Sequence, residues 1–131
     1  MDIILLKGDG NKGKTSTINL VYDKFLTEGA VELEHKSQVG GDPNDFECFL
    51  SFNGHKIALC SMGDYARVVI DYFKTFEQKG ADYLICVCNS HFTTPFDVIQ
   101  KYKHQIISKT TFEEVNKMDA NKILASFNLS I

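Results

Sequence analysis

A short segment rich in glycine and lysine, residues 8–15 (GDGNKGKT), restricts most strongly what this chain can fold into. The apolar run at residues 3–6 comes just before it, and the absence of polar alternation is typical of a strand buried on both faces. From Thr15 onward the apolar residues recur with helical spacing. Residues 8–15 are therefore predicted to form a tight turn between a buried strand and a helix, and we call them the glycine loop.

The composition of the glycine loop indicates a pocket for a polyphosphate. Gly8, Gly13, Lys14 and Thr15 occupy every fixed position of the pattern G-x-x-x-x-G-K-[ST]. Glycine lets the backbone approach phosphate oxygens closely, and amides at a helix N-terminus attract anions. Lys14 would reach the β- and γ-phosphates, and the Thr15 hydroxyl would bind Mg²⁺. We expect nucleotide contacts from Gly8, Asp9, Gly10, Asn11, Lys12, Gly13, Lys14, Thr15 and Ser16.

The alternative is a glycine-rich turn that fits this pattern by chance, and the preceding strand and following helix disfavour it. In this context the sequence resembles the P-loop NTPase superfamily, although the motif covers only the first part of the chain. The resemblance implies a nucleoside triphosphate ligand, an Mg²⁺ cofactor and chemistry at the γ-phosphate.

The rest of the chain alternates between strand and helix patterns, which predicts an α/β fold. We expect one domain over residues 1–131, a three-layer sandwich like that of P-loop NTPases, with a mainly parallel sheet and one antiparallel hairpin strand. The hairpin is predicted at residues 46–61 around Asn53-Gly54. Residues 30–45 have a weak pattern and are predicted to be a mobile loop with a short strand near residues 30–33. Ligands of such sheets bind beyond the carboxyl ends of the strands.

The segment after the hairpin, IALCSMGD, departs from the superfamily pattern. Cys60 and Ser61 stand where an acidic residue is expected, and the acid comes late, at Asp64. In one interpretation Ser61, Gly63 and Asp64 line the γ-phosphate, and the segment resembles the D-x-x-G loop of GTPases with Cys60 in the Asp position. In the other, Asp64 only caps the next helix and Ser61 is a strand-end hydroxyl. We take Lys14, Ser61 and Asp64 as catalytic candidates, and Thr15 and Asp64 as metal ligands.

Two further segments bear on these predictions. Asp42 is a weaker candidate acid, since an Asp-Pro turn is the simpler interpretation. His91 lies in a loop at the expected ligand end of the sheet, where a solvated histidine is the simpler alternative to a base, because no carboxylate partner is evident nearby.

The base of the nucleotide is not fixed by the sequence. Residues 116–119 spell NKMD, the guanine-reading pattern N-K-x-D, but they fall within a helical pattern, so we interpret the match as chance. The final helix is expected to bury Met118. Lys109, in SKTT, would stack on a base or be merely exposed. ATP is therefore preferred to GTP by default.

Composition excludes several classes of function. The net charge of −3 gives no basic field for nucleic acid, and no apolar segment is long enough to span a membrane. The four cysteines fit a reduced, cytoplasmic protein. The leading hypothesis is Mg²⁺-dependent binding of a nucleoside triphosphate with slow hydrolysis.

Two alternatives stay open. One is a small kinase that uses residues 30–45 as the acceptor site, although the single arginine, Arg67, counts against it. The other is a non-catalytic module whose binding to a protein partner depends on the nucleotide.

Overall fold

The chain is described by a computed structural model that covers residues 1–10, 13–110 and 115–131. The strands are β1 Asp2–Gly8, β2 Val31–Gln38, β3 Phe46–Phe52, β4 His55–Cys60, β5 Tyr83–Asn89 and β6 Lys103–Ser108. The helices are α1 Lys14–Thr27, α2 Ala66–Gln78, α3 Thr94–Val98 and α4 Asn116–Leu124, and short 3-10 turns occupy Ile99–Lys101 and Ala125–Phe127.

All six strands join one sheet in the order β2-β3-β4-β5-β1-β6. Strand β1 lies between β5 and β6 and is parallel to both, and β4 is parallel to β5. Strand β3 runs antiparallel to both β2 and β4. The predicted α/β class, with a mainly parallel sheet and one antiparallel hairpin strand, is confirmed.

Helices cover both faces of the sheet. Ile4 and Leu6 pack with α1 and α4 in one apolar cluster, whereas Ile3 and Leu5 pack with α2 and the segment around α3 in the other. A strand buried on both faces needs apolar residues at every position, which explains the uninterrupted run in β1. The two clusters are compatible with a three-layer sandwich. Within the described ranges, no helix combines the length and apolarity that crossing a bilayer requires.

The hairpin turn forms as its sequence predicts. Asn53 and Gly54 have φ angles of 50° and 78°, which is the left-handed region that a tight two-residue hairpin turn demands. The pairing of β3 with β4 follows from this turn, from Phe52 opposite His55 to Glu47 opposite Cys60.

The largest difference from the predicted fold is β2, which extends well beyond the short strand expected near residues 30–33. It lies at the edge of the sheet, and nearly all its side chains are exposed, so no apolar pattern marks it. Backbone pairing with β3 holds it, together with the contact of Glu34 with Lys79, directly after α2, at 2.9 Å.

Two predictions about helices are wrong. Met118 is 57% exposed, because α4 packs through other residues such as Ile123 and Leu124. Asp64 does not cap α2: Tyr65 is the N-cap residue, and no side chain hydrogen-bonds there. The start expected for the final helix, at Phe112, lies outside the described residues.

Candidate functional site

The carboxyl ends of β1 and β4 and the start of β3 meet around one polar cavity of about 230 Å³. Its walls come from the glycine loop and first turn of α1, from residues 42–45, and from residues 61–64. The start of β3 lies beside the end of β4 because the two strands are antiparallel. We call residues 39–45 the entry loop and residues 61–64 the exit loop.

The described part of the glycine loop is tightly fixed by its neighbours. The carbonyl of Gly8 accepts a hydrogen bond from the Ser90 amide at 3.0 Å, and the Lys109 amide donates to Lys7 at 2.7 Å. A Cβ on Gly8 would lie 2.9 Å from Cβ of Lys109. Gly13 has φ 83°, so a side chain there would be strained. Of the predicted contacts, Asn11 and Lys12 lie outside the described residues.

Lys14 is buried at the base of the cavity. Its ammonium donates to the carbonyl oxygens of Gly8 at 3.1 Å and Asp9 at 2.5 Å. Burial lowers the pKa of Lys14 below the ordinary lysine value, against the opposing effect of nearby carboxylates, first of all Asp64. An anion in the cavity would favour the charged form of Lys14.

The N-terminus of α1 is available to the cavity. No side chain of the described residues caps this helix, and the hydrogen bond from the Thr17 amide to the Gly13 carbonyl, at 2.9 Å, closes its first turn. The earlier amides therefore have no partner within the helix. Lys14, Thr15 and Ser16 line the cavity here, and uncapped amides at a helix start are suited to an anion.

An aspartate that the sequence did not single out connects the three walls. Oδ1 of Asp45 accepts hydrogen bonds from Oγ1 of Thr15 at 2.8 Å and from Oγ of Ser61 at 3.2 Å. The Ser61 Oγ in turn accepts the Phe46 amide at 2.8 Å. Asp45 is only 6% exposed, and burial raises the pKa of its carboxyl above the ordinary value, although the two hydroxyl donors oppose this.

The exit loop places the other predicted residues differently. Ser61 is buried, Asp64 is exposed at the cavity wall, and Gly63 also lines it. A Cβ on Gly63 would lie 2.6 Å from the Val87 carbonyl oxygen, so only glycine fits. Cys60 is fully buried in the cluster on the α2 face, where burial raises the pKa of its thiol far above normal. It therefore offers no ligand to the cavity.

The entry loop is ordered by a turn. The Asp42 carboxylate accepts the Asn44 amide at 2.8 Å, and the Asp42 carbonyl accepts the Asp45 amide at 3.1 Å. The interpretation of Asp42 as a turn residue is confirmed, and Asp42 also lines the cavity.

The loop after β5 binds the glycine loop from the outer side. Oδ1 of Asp9 accepts a hydrogen bond from Oγ of Ser90 and lies 3.4 Å from Nε2 of His91. The expectation that His91 has no carboxylate partner is therefore wrong. The Asp9 side chain therefore points toward the loop after β5, and Asp9 is not among the residues that line the cavity.

Beyond β6, Lys109 and Asp119 form a fully buried ion pair at 2.8 Å. Asp119 also accepts the amide and hydroxyl of Thr110, each at 3.0 Å. Lys109 is thus neither exposed nor directed at a base, contrary to both alternatives. The helical context expected for NKMD is confirmed for residues 116–119, and the Asp119 carboxylate is fully engaged.

The donors around the cavity fit a magnesium ion that arrives with phosphates. Hydroxyl and carboxylate oxygens, from Thr15, Asp45 and Asp64, are the hard ligands that Mg²⁺ prefers. Within the described residues, no three histidine, cysteine or acidic side chains lie close enough to hold a metal by themselves. Mg²⁺ usually keeps several waters and takes further oxygens from substrate phosphates, so one or two protein ligands suffice.

Sequence reasoning missed Asp45, although a signal was present. The predicted Asn53-Gly54 turn fixes the hairpin register, and counting back along β3 brings Asp45 beside the end of β4.

Comparisons of this chain with protein-family models, with curated proteins and with solved structures find no match.

Proposed function

We propose that this protein binds a nucleoside triphosphate with Mg²⁺, ATP in preference to GTP, and hydrolyses it slowly. The observation that carries the proposal is the buried Lys14 ammonium beside the uncapped start of α1, both facing one polar cavity. A buried cation and amides without a partner in their helix are costly unless an anion occupies the site, and a polyphosphate supplies that charge.

The same observations support membership of the P-loop NTPase superfamily and its three-layer fold. The glycine loop follows the central parallel strand β1 and leads into α1, as the resemblance implies. The four buried thiols, Cys48, Cys60, Cys86 and Cys88, are unbridged, which suits a cytoplasmic protein.

The cavity residues have distinct roles in this proposal. Lys14 stabilises charge that develops on the γ-phosphate, and Thr15 holds the metal through its hydroxyl. Asp64, exposed at the wall, positions the attacking water, with the Gly63 amide beside it. Mg²⁺ would screen the charge of the β- and γ-phosphates.

ATP is preferred because the guanine-reading pattern has no available acid. Asp119 is occupied by Lys109 and Thr110 inside the protein, so it has no oxygen left for a base. Transfer to an acceptor ranks below hydrolysis, since Arg67 is exposed on α2 and outside the cavity.

One observation favours a second candidate, the nucleotide-dependent binding module. The entry and exit loops touch each other through Asp45 and Ser61, and a Cβ on Gly40 would lie 2.6 Å from Sδ of Met62. A change at the γ-phosphate would therefore move both loops together and alter a surface that a protein partner could recognise.

Calorimetric titration tests the proposal directly. ATP, GTP and their non-hydrolysable analogues are titrated with Mg²⁺ into the native protein, Lys14→Ala and Lys56→Ala, the last an exposed lysine at the start of β4. We expect Lys14→Ala to weaken binding about 100-fold or more, as removal of a buried charge partner does, and Lys56→Ala to leave it unchanged. Failure of the native protein to bind any triphosphate would overturn the proposal. If the native protein binds, a single-turnover hydrolysis assay distinguishes an enzyme from a binding module.

A further inference from the structure

We propose that Asp45 replaces the acid missing from the end of β4, orienting the Thr15 hydroxyl and adding negative charge where the Mg²⁺ of the nucleotide binds. This inference rests on the proposed function. It makes Asp45 a positioning residue that acts through Thr15, and it transfers to the end of the entry loop, just before β3, a task that the sequence assigned to Asp64.

The hydrogen bond between Thr15 and Asp45 determines where the threonine oxygen can bind a cation. A hydroxyl has one proton and two lone pairs. With its proton donated to Asp45 Oδ1 at 2.8 Å, the Thr15 oxygen keeps its lone pairs for an ion in the cavity that both residues line. Partners of this kind, which hold a ligand in its binding orientation, commonly contribute about 10–100-fold to metal affinity.

Ser61 has its hydrogen bonds committed to holding Asp45 in place. Its hydroxyl donates to Asp45 and accepts the Phe46 amide, while its own amide donates to the Phe46 carbonyl at 3.0 Å. The hydroxyl therefore fixes the start of β3 against the end of β4. This role explains why a serine follows Cys60. The Cys60 thiol is buried on the opposite side of the sheet and cannot contact the cavity.

Among the described residues, the Asp45 carboxylate has no cation in direct contact. Lys14 attracts it only at longer range, and no lysine, arginine or histidine there forms an ion pair with it, although Asp45 is only 6% exposed. A buried carboxylate without a counter-charge is unfavourable. A divalent ion beside Thr15 would provide one at close range, whereas Asp64 is exposed at the cavity wall.

The test measures how much Mg²⁺ strengthens nucleotide binding. A non-hydrolysable ATP analogue is titrated with Mg²⁺ and with EDTA into the native protein, Asp45→Asn and Asp64→Asn. Asparagine keeps an oxygen that can accept from both hydroxyls but removes the charge. We expect Asp45→Asn to retain the affinity measured in EDTA within about twofold and to lose about 10–100-fold of the enhancement by Mg²⁺. Asp64→Asn should keep most of that enhancement.

The outcomes separate this inference from the proposed function. A native protein that binds the analogue, with an Mg²⁺ enhancement that Asp45→Asn retains in full, would overturn the role of Asp45 and leave the proposed function intact. A loss of the enhancement in Asp64→Asn alone would return the role to Asp64. If Asp45→Asn weakens binding of the analogue equally in EDTA and in Mg²⁺, Asp45 supports the structure of the loop in general. That result would also overturn the inference. No binding by the native protein would reject both proposals.

Discussion

Asp45 and Asp119 are both buried, yet their surroundings differ in how far they stabilise the negative charge of the carboxylate. Asp119 is fully buried, contacts the Lys109 ammonium at 2.8 Å and accepts two hydrogen bonds from Thr110. Burial raises the pKa of its carboxyl, but the lysine and Thr110 outweigh burial and hold the pKa below the ordinary value. In the described residues, the hydrogen-bond donors to the Asp45 carboxylate are the hydroxyls of Thr15 and Ser61, and burial raises the pKa of its carboxyl.

This difference distinguishes a structural carboxylate from one suited to a ligand. The charge of Asp119 is balanced inside the protein, so it joins α4 to the end of β6 and has nothing to offer the cavity. The carboxylate of Asp45 forms no ion pair in the described part of the chain, and it lies at the cavity wall. Natural proteins commonly retain such unfavourable groups at functional sites.

The largest effect should come from removing the cation of Asp119. Lys109→Met deprives the buried Asp119 carboxylate of its buried cation, and the free energy of unfolding should fall by about 3–5 kcal/mol in urea denaturation. Lys122→Met is the matched control, because Lys122 contacts the same carboxylate at 3.3 Å with a side chain that is 49% exposed. Its effect should stay below about 1 kcal/mol. Similar losses in the two variants would contradict the importance we give to the buried pair.

Acidification should weaken the same pair, with a smaller effect, since a protonated Asp119 still hydrogen-bonds Thr110. The folded-state pKa of Asp119 is lowered, so its contribution to stability is complete above the unfolded-state pKa, about 3.9. That contribution is lost as pH falls through the folded-state pKa. The free energy of unfolding should therefore decrease below about pH 4, and the decrease should be less steep in Asp119→Asn. Parallel pH profiles from urea titrations of the two proteins would refute this.

The segment from β1 to α1 and the hairpin were predictable because their signals are local. An apolar run, a glycine loop and a helical stripe follow one another directly, and Asn53-Gly54 sets its own turn geometry. Strand β2 was largely missed because its strand state depends on backbone pairing with β3, and an exposed edge needs no apolar side chains. A polar edge strand and a polar loop therefore look alike in sequence.

The two aspartates show where sequence reasoning about the site ended. Lys109 and Asp119 pair only because α4 packs with a particular face toward β6, and the pattern around Met118 did not identify that face. Asp45 becomes significant only when the hairpin register brings it between Thr15 of α1 and Ser61 of the exit loop, which are remote from it in sequence. Residue identities indicated a phosphate site, but the distribution of charge around it required the tertiary contacts.

The smallest effect should have the opposite sign, and it is expected at Asp45. Without nucleotide or metal, Asp45→Asn removes a buried charge that has no ion-pair partner in the described residues, and it keeps an oxygen for both hydroxyls. The free energy of unfolding should therefore rise by about 1 kcal/mol. Asp64→Asn, at an exposed position, should change it by less than about 0.5 kcal/mol. Urea denaturation in EDTA measures both variants. A loss of stability in Asp45→Asn would mean that its carboxylate, like that of Asp119, mainly stabilises the fold. A gain would mean that the native chain keeps a group that weakens the empty protein, which is expected only if the charge serves a bound cation.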